Sequence, residues 1–116
     1  MFCSPGVATI VAATAAFDAS SGATLWDVNL GMPVPRTSLP CGNVDPLGVT
    51  GTPVIDIDSR TLYVAAMTTP DGGPTKQHLI YALYLDDGST VSGWPVDVSA
   101  SVSYGGLTFD STPQSE

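Results

Sequence analysis

The chain has 116 residues, 43% of them hydrophobic, and a formal net charge of −8. That length allows one domain at most, and three scattered cations (Arg36, Arg60 and Lys76) exclude the grouped positive charge that nucleic acid or an anionic membrane surface demands. One Glu, two Gln and one Lys, against twelve Gly and ten Pro, point to short strands and turns rather than helices.

In chain order, the first segment is Val7 to Phe17, the longest largely apolar run. It is about half of the ~20 residues that a bilayer helix requires. No cation precedes it, so it reads as a buried strand rather than the core of a signal peptide. Residues 8–18 and 24–29 are expected to form two strands joined by the turn Ser20-Ser21-Gly22. A Pro-rich stretch from Gly31 to Gly48 follows, with no strand pattern of its own.

Thr52 to Asp56 is a short predicted strand, turned by Asp58-Ser59 into Thr61 to Met67. The segment Thr68 to Thr75, with Pro70-Asp71-Gly72-Gly73-Pro74, reads as a loop. Strand 77–85 comes next, closed by Asp86-Asp87-Gly88, then a strand over about 94–98. The tail from Ser99 is mostly polar, with one strand-like piece at Leu107-Thr108-Phe109. Both faces of strand 77–85 are largely apolar: Leu79, Tyr81, Leu83 and Leu85 on one side, His78, Ile80, Ala82 and Tyr84 on the other. Such a strand is expected to sit in a sheet covered on both sides.

The most informative pattern is internal. Ala16-Phe17-Asp18-Ala19-Ser20-Ser21-Gly22 leads to Trp26, and Ala82-Leu83-Tyr84-Leu85-Asp86-Asp87-Gly88 leads to Trp94. The second copy has Tyr84 in place of Asp18 and two extra residues before its Trp. Strand, Gly turn, strand, Trp is the signature of a sheet repeat in which a large aromatic fills the gap between neighbouring sheets.

Ala16-x-Asp18-x-x-x-Gly22-x-x-x-Trp26 resembles the repeat of the pyrroloquinoline-quinone-like (PQQ-like) β-propellers. Gly48-Val49-Thr50-Gly51-Thr52-Pro53-Val54-Ile55-Asp56, with Thr61-Leu62-Tyr63-Val64, is similar to the inner strands of such blades in secreted bacterial members. The resemblance implies an all-β fold: a partial propeller of about one and a half four-stranded antiparallel blades. On it, residues 1–30 supply the outer strands of a partial first blade and residues 31–50 an inter-blade loop. Residues 51–99 then make a complete blade, and 100–116 lead into another. Asp18, Gly22, Trp26, Gly88 and Trp94 are the expected blade-docking residues. Other blades are the implied partners, with a protein partner besides, and the implied compartment is periplasmic or secreted.

Proteins with this repeat include quinone-dependent dehydrogenases and non-enzymatic scaffolds. Many of the dehydrogenases resemble one another by an adjacent Cys pair and a calcium set of Glu, Asn and Asp. This chain has two cysteines far apart, Cys3 and Cys41, and no Glu before Glu116. The expectation is therefore a scaffold or binding module without a cofactor, the alternative being a piece of a dehydrogenase whose active site lies elsewhere.

Other candidates are weaker. Asp56, Asp58, Asp86 and Asp87 invite calcium but lack EF-hand loop spacing, so they read as turn residues. His78, the single histidine, has no nucleophile motif beside it and reads as a loop-edge residue. The Pro-rich loop is the candidate binding element, with Arg36, Cys41, Asn43 and Asp45 as its polar residues, and a plain structural crossover as the equal alternative. Whether Cys3 pairs with Cys41 stays open.

Overall fold

A computed structural model describes residues 12–39, 44–99 and 101–110. The chain there is all β, antiparallel throughout, apart from a 3-10 turn at Arg36–Ser38. Eight strands form three sheets. β1 (Ala13–Phe17) pairs with β2 (Thr24–Asn29); β3 (Val54–Asp56), β4 (Thr61–Thr68), β5 (Gln77–Tyr84) and β6 (Val96–Asp97) form a meander in that order; β7 (Ser101–Tyr104) pairs with β8 (Leu107–Asp110).

The central hairpin β4–β5 is the longest ladder, running from Thr61 opposite Tyr84 to Thr68 opposite Gln77. Its β-branched and aromatic residues suit a pleated, packed surface. Register puts Leu62, Val64 and Ala66 on one face with Tyr81 and Leu83. That face meets Ala12, Trp26 and Leu30 from the β1–β2 side, with Ala16 and Val28 packed alongside, and this is the main core.

The opposite face of the meander carries Tyr63 and Trp94, edge to face with ring centroids 5.6 Å apart. Val54, Tyr84 and Val96 share that face by register and are exposed. The expected cover on both sides of strand 77–85 is thus present on the first side and partial on the second, where Ala82 and Met67 are buried but Val54, Tyr84 and Val96 are not.

Several boundaries differ from the sequence reading. β1 begins at Ala13, and the part of predicted strand 8–18 before residue 12 lies outside the described residues. β3 begins after Pro53 and β6 after Pro95, because proline has no N–H to give to the ladder. The tail from Ser99 holds two strands rather than one. Gly105 and Gly106, at φ 58° and 82°, form a two-residue turn that pairs Tyr104 with Leu107.

The Pro-rich stretch is not structureless. Val34 and Leu47 exchange both backbone hydrogen bonds, at 2.8 and 2.7 Å, and are fully buried with Met67 in a second small core. Thr69 N–H donates to the Met32 carbonyl and Met67 N–H to that of Gly48. The described parts of the segment are therefore pinned along the end of β4.

Candidate functional site

The two Gly turns are built alike. In the first, Asp18 N–H donates to the Ala23 carbonyl and Gly22 N–H to that of Asp18, both at 2.8 Å. In the second, Tyr84 N–H donates to Ser89 and Gly88 N–H to Tyr84, again at 2.8 Å. Both glycines sit at φ 73°, the left-handed conformation that glycine adopts without steric cost. The loss of Asp18's equivalent at Tyr84 leaves this backbone frame intact.

What differs is the side-chain support. Asp18 Oδ1 accepts from Ser20 N–H at 2.9 Å, Ser21 N–H at 2.8 Å and Ser21 Oγ at 3.0 Å. These bonds, Ser21's backbone donor foremost, hold its carboxyl below the usual carboxylate range. In the second turn Asp87 takes over, accepting from Ser89 N–H at 2.9 Å and Ser89 Oγ at 2.6 Å, and its pKa is likewise lowered, chiefly by the Ser89 hydroxyl. Asp86 turns outward to an exposed ion pair with Arg60, whose Nε lies 3.1 Å from each carboxylate oxygen.

Trp26 joins the two sheets at this second turn. Its Nε1–H donates to the Leu85 carbonyl at 2.8 Å, across 59 residues of sequence. Gly88 forms the floor beneath the ring: a Cβ there would lie 2.7 Å from Trp26 Cε3, 2.8 Å from Cδ2 and 2.9 Å from Val28 Cγ2. The indole is thus held by one backbone acceptor and by a notch that only glycine leaves open. At the other end of the same interface the Tyr81 hydroxyl donates to the Leu30 carbonyl, and burial pushes the phenol's pKa up. Tyr81 was legible only as one of several apolar residues on strand 77–85. Trp94, the second repeat aromatic, is half-buried against Tyr63.

The candidate binding loop has a simpler content. Asp45 Oδ1 accepts from the Arg36 backbone N–H at 3.0 Å, which closes the loop on its own main chain. Cys41, Asn43 and Cys3 lie outside the described residues. A neighbour missed in the sequence supports it: Asp71 accepts from Thr69 Oγ1 and from Thr75 N–H, each at 2.9 Å, while buried Thr69 Oγ1 accepts from Gly73 N–H at 2.8 Å. Gly73, at φ 144°, passes so close to Ser38 that a Cβ would sit 2.1 Å from its hydroxyl oxygen. Loop 69–75 and the 3-10 turn thereby lock together.

The remaining acids are engaged locally. Asp56 accepts from Ser59 Oγ at 2.6 Å and from Asp58 N–H at 3.3 Å. Among the described residues no three His, Cys, Asp or Glu side chains converge on one point. His78 lies in β5 with its backbone N–H on Ser99 Oγ at 2.8 Å. Among the described residues, no helix is long and apolar enough to cross a membrane. Comparison with known proteins finds no matching family model, no similar curated protein and no similar solved structure.

Proposed function

We propose that this chain is a non-enzymatic sheet-stacking module of the PQQ-like β-propeller type, about one and a half blades, serving as scaffold or binding surface in a secreted or periplasmic protein. The observation that carries this reading is the seat of Trp26 on the Gly88 turn, with its indole N–H on the Leu85 carbonyl. An aromatic that leaves its own hairpin to close on the next Gly turn is a joint between sheets, seen once among the described residues, and the equivalence of the two turns supports a repeating unit around it. Apolar side chains left open on other faces agree with further neighbours. Phe17 and Leu25 are exposed on the β1–β2 hairpin, and Val54, Tyr84 and Val96 on the meander. The compartment rests on the family resemblance alone.

Two measurements on the chain test the proposal together. Trp26→Ala is expected to lower stability by about 3–5 kcal/mol in urea unfolding, the ordinary cost of deleting a buried indole. Adding pyrroloquinoline quinone with calcium is expected to leave the melting temperature unmoved. A melt that rises with quinone concentration would favour the dehydrogenase alternative, since only a ligand that binds the folded state stabilises it. A Trp26→Ala variant as stable as the parent would remove the joint on which the module reading stands.

A further inference from the structure

We propose that the β7–β8 hairpin is a self-association surface, on which a second copy of this chain docks face to face. Its register pairs Val102 with Phe109 and Tyr104 with Leu107, so all four lie on one face of the ribbon. The other face carries Ser103 and Thr108, whose hydroxyls are 2.8 Å apart. The hairpin is therefore two-sided and both faces are exposed, the apolar one extensively so: Val102 is 61% exposed, Tyr104 89%, Leu107 78% and Phe109 55%. Neither strand packs extensively against the other two sheets.

The size of the patch suits a partner of its own kind. Those exposures amount to roughly 600 Å² per copy, so two hairpins in contact would bury at most about 1,200 Å², the lower edge of specific protein interfaces. Face-to-face packing of two such ribbons at about 10 Å spacing is ordinary sandwich geometry, and a two-fold axis makes each patch its own complement. Charge narrows the choice further. A chain of net charge −8 repels its copies over most of its surface, and no charged side chain lies among these four. The ribbon offers contact a patch where that repulsion has no local source. Two aromatic members give area at small cost in side-chain entropy. The proposal goes beyond the module reading: a strictly monomeric chain would overturn it and leave the Trp26 joint untouched.

Sedimentation velocity over a concentration series tests it. The expected result is a monomer–dimer equilibrium that strengthens between about 0.05 and 0.5 M salt, as screening removes the repulsion of like-charged copies. The pair Tyr104→Ser and Leu107→Ser should raise the dissociation constant at least tenfold. Near-UV circular dichroism from Trp26 and Trp94, both outside the hairpin, reports whether that variant keeps its tertiary packing. Ser103→Ala, on the polar face, should leave the constant within about twofold, as expected of a site outside the contact. A monomer at every concentration and salt overturns the proposal. So does a dimer that the paired substitution does not weaken, which would place the contact on another face, or a dimer that weakens with salt.

Discussion

Gly22 and Gly88 share φ 73° and the same turn hydrogen bonds but not the same surroundings. A Cβ at Gly22 would meet nothing within 4 Å, whereas at Gly88 it would press on the Trp26 ring and Val28. Alanine at Gly22 therefore carries the left-handed backbone strain alone, about 1 kcal/mol. Alanine at Gly88 adds overpacking against the indole, about 1–3 kcal/mol more. The measurement is a double-mutant cycle by urea unfolding: in a Trp26→Ala background the excess at Gly88 should shrink to what Val28 alone imposes, because the obstructing ring is gone. Equal costs at the two glycines in the parent chain would show that the indole does not rest there in solution. The matched pair separates conformational strain from steric contact within one molecule, since the backbone term is common to both sites.

At the scale of elements, legibility followed hydrophobic periodicity. β2, β4 and β5 were readable to within a residue or so because runs such as Thr61-Leu62-Tyr63-Val64 combine β-branched and aromatic residues between turn residues. β7 was not read as a strand because Ser101 and Ser103 look like a polar tail, although Val102 and Tyr104 alternate with them and Gly105-Gly106 follows. The packing of the Pro-rich segment was not readable either: Val34 and Leu47 meet across a loop with no periodicity to announce it. Tyr81's reach to Leu30 depends on how two sheets face each other, which no local pattern encodes. Loop 69–75 illustrates the same gap and offers a test. Hydrogen bonds from the Thr75 hydroxyl and then its N–H lower Asp71 from the ordinary 3.8 to about 2. A carboxylate depressed in the folded state binds fewer protons than in the unfolded chain, so its contribution is complete above about pH 4 and is lost as pH falls towards 2. Asp71→Asn should thus lower the melting temperature at pH 6, and the gap from the parent should close over that acid range. A gap independent of pH would mean that the charge of Asp71 plays no part in closing the loop.

For the molecule as a whole, the question is whether three sheets behave as one cooperative body. Two-stranded hairpins are marginal in water unless they pack against something. β1–β2 has such support: Trp26 on Leu85 and Gly88 at one end, Tyr81 on Leu30 at the other, with Ala16 and Val28 against the core between them. β7–β8 exposes its apolar face instead. Native-state hydrogen exchange should resolve the difference. Amides of β1 and β2 are expected to exchange with the same protection as β4 and β5, since the joint makes them one unit, while those of β7 and β8 exchange much faster in dilute monomer. Trp26→Ala should accelerate β1–β2 exchange at least tenfold, a loss of about 1.4 kcal/mol or more of local stability, and leave the β4–β5 ladder less affected. Raising the concentration should slow exchange in β7 and β8 selectively if copies dock there. The outcome that would undo this account is parent β1–β2 exchange as fast as that of β7–β8. The joint would then add no stability, and the meander would have to fold without the cover of its first hairpin.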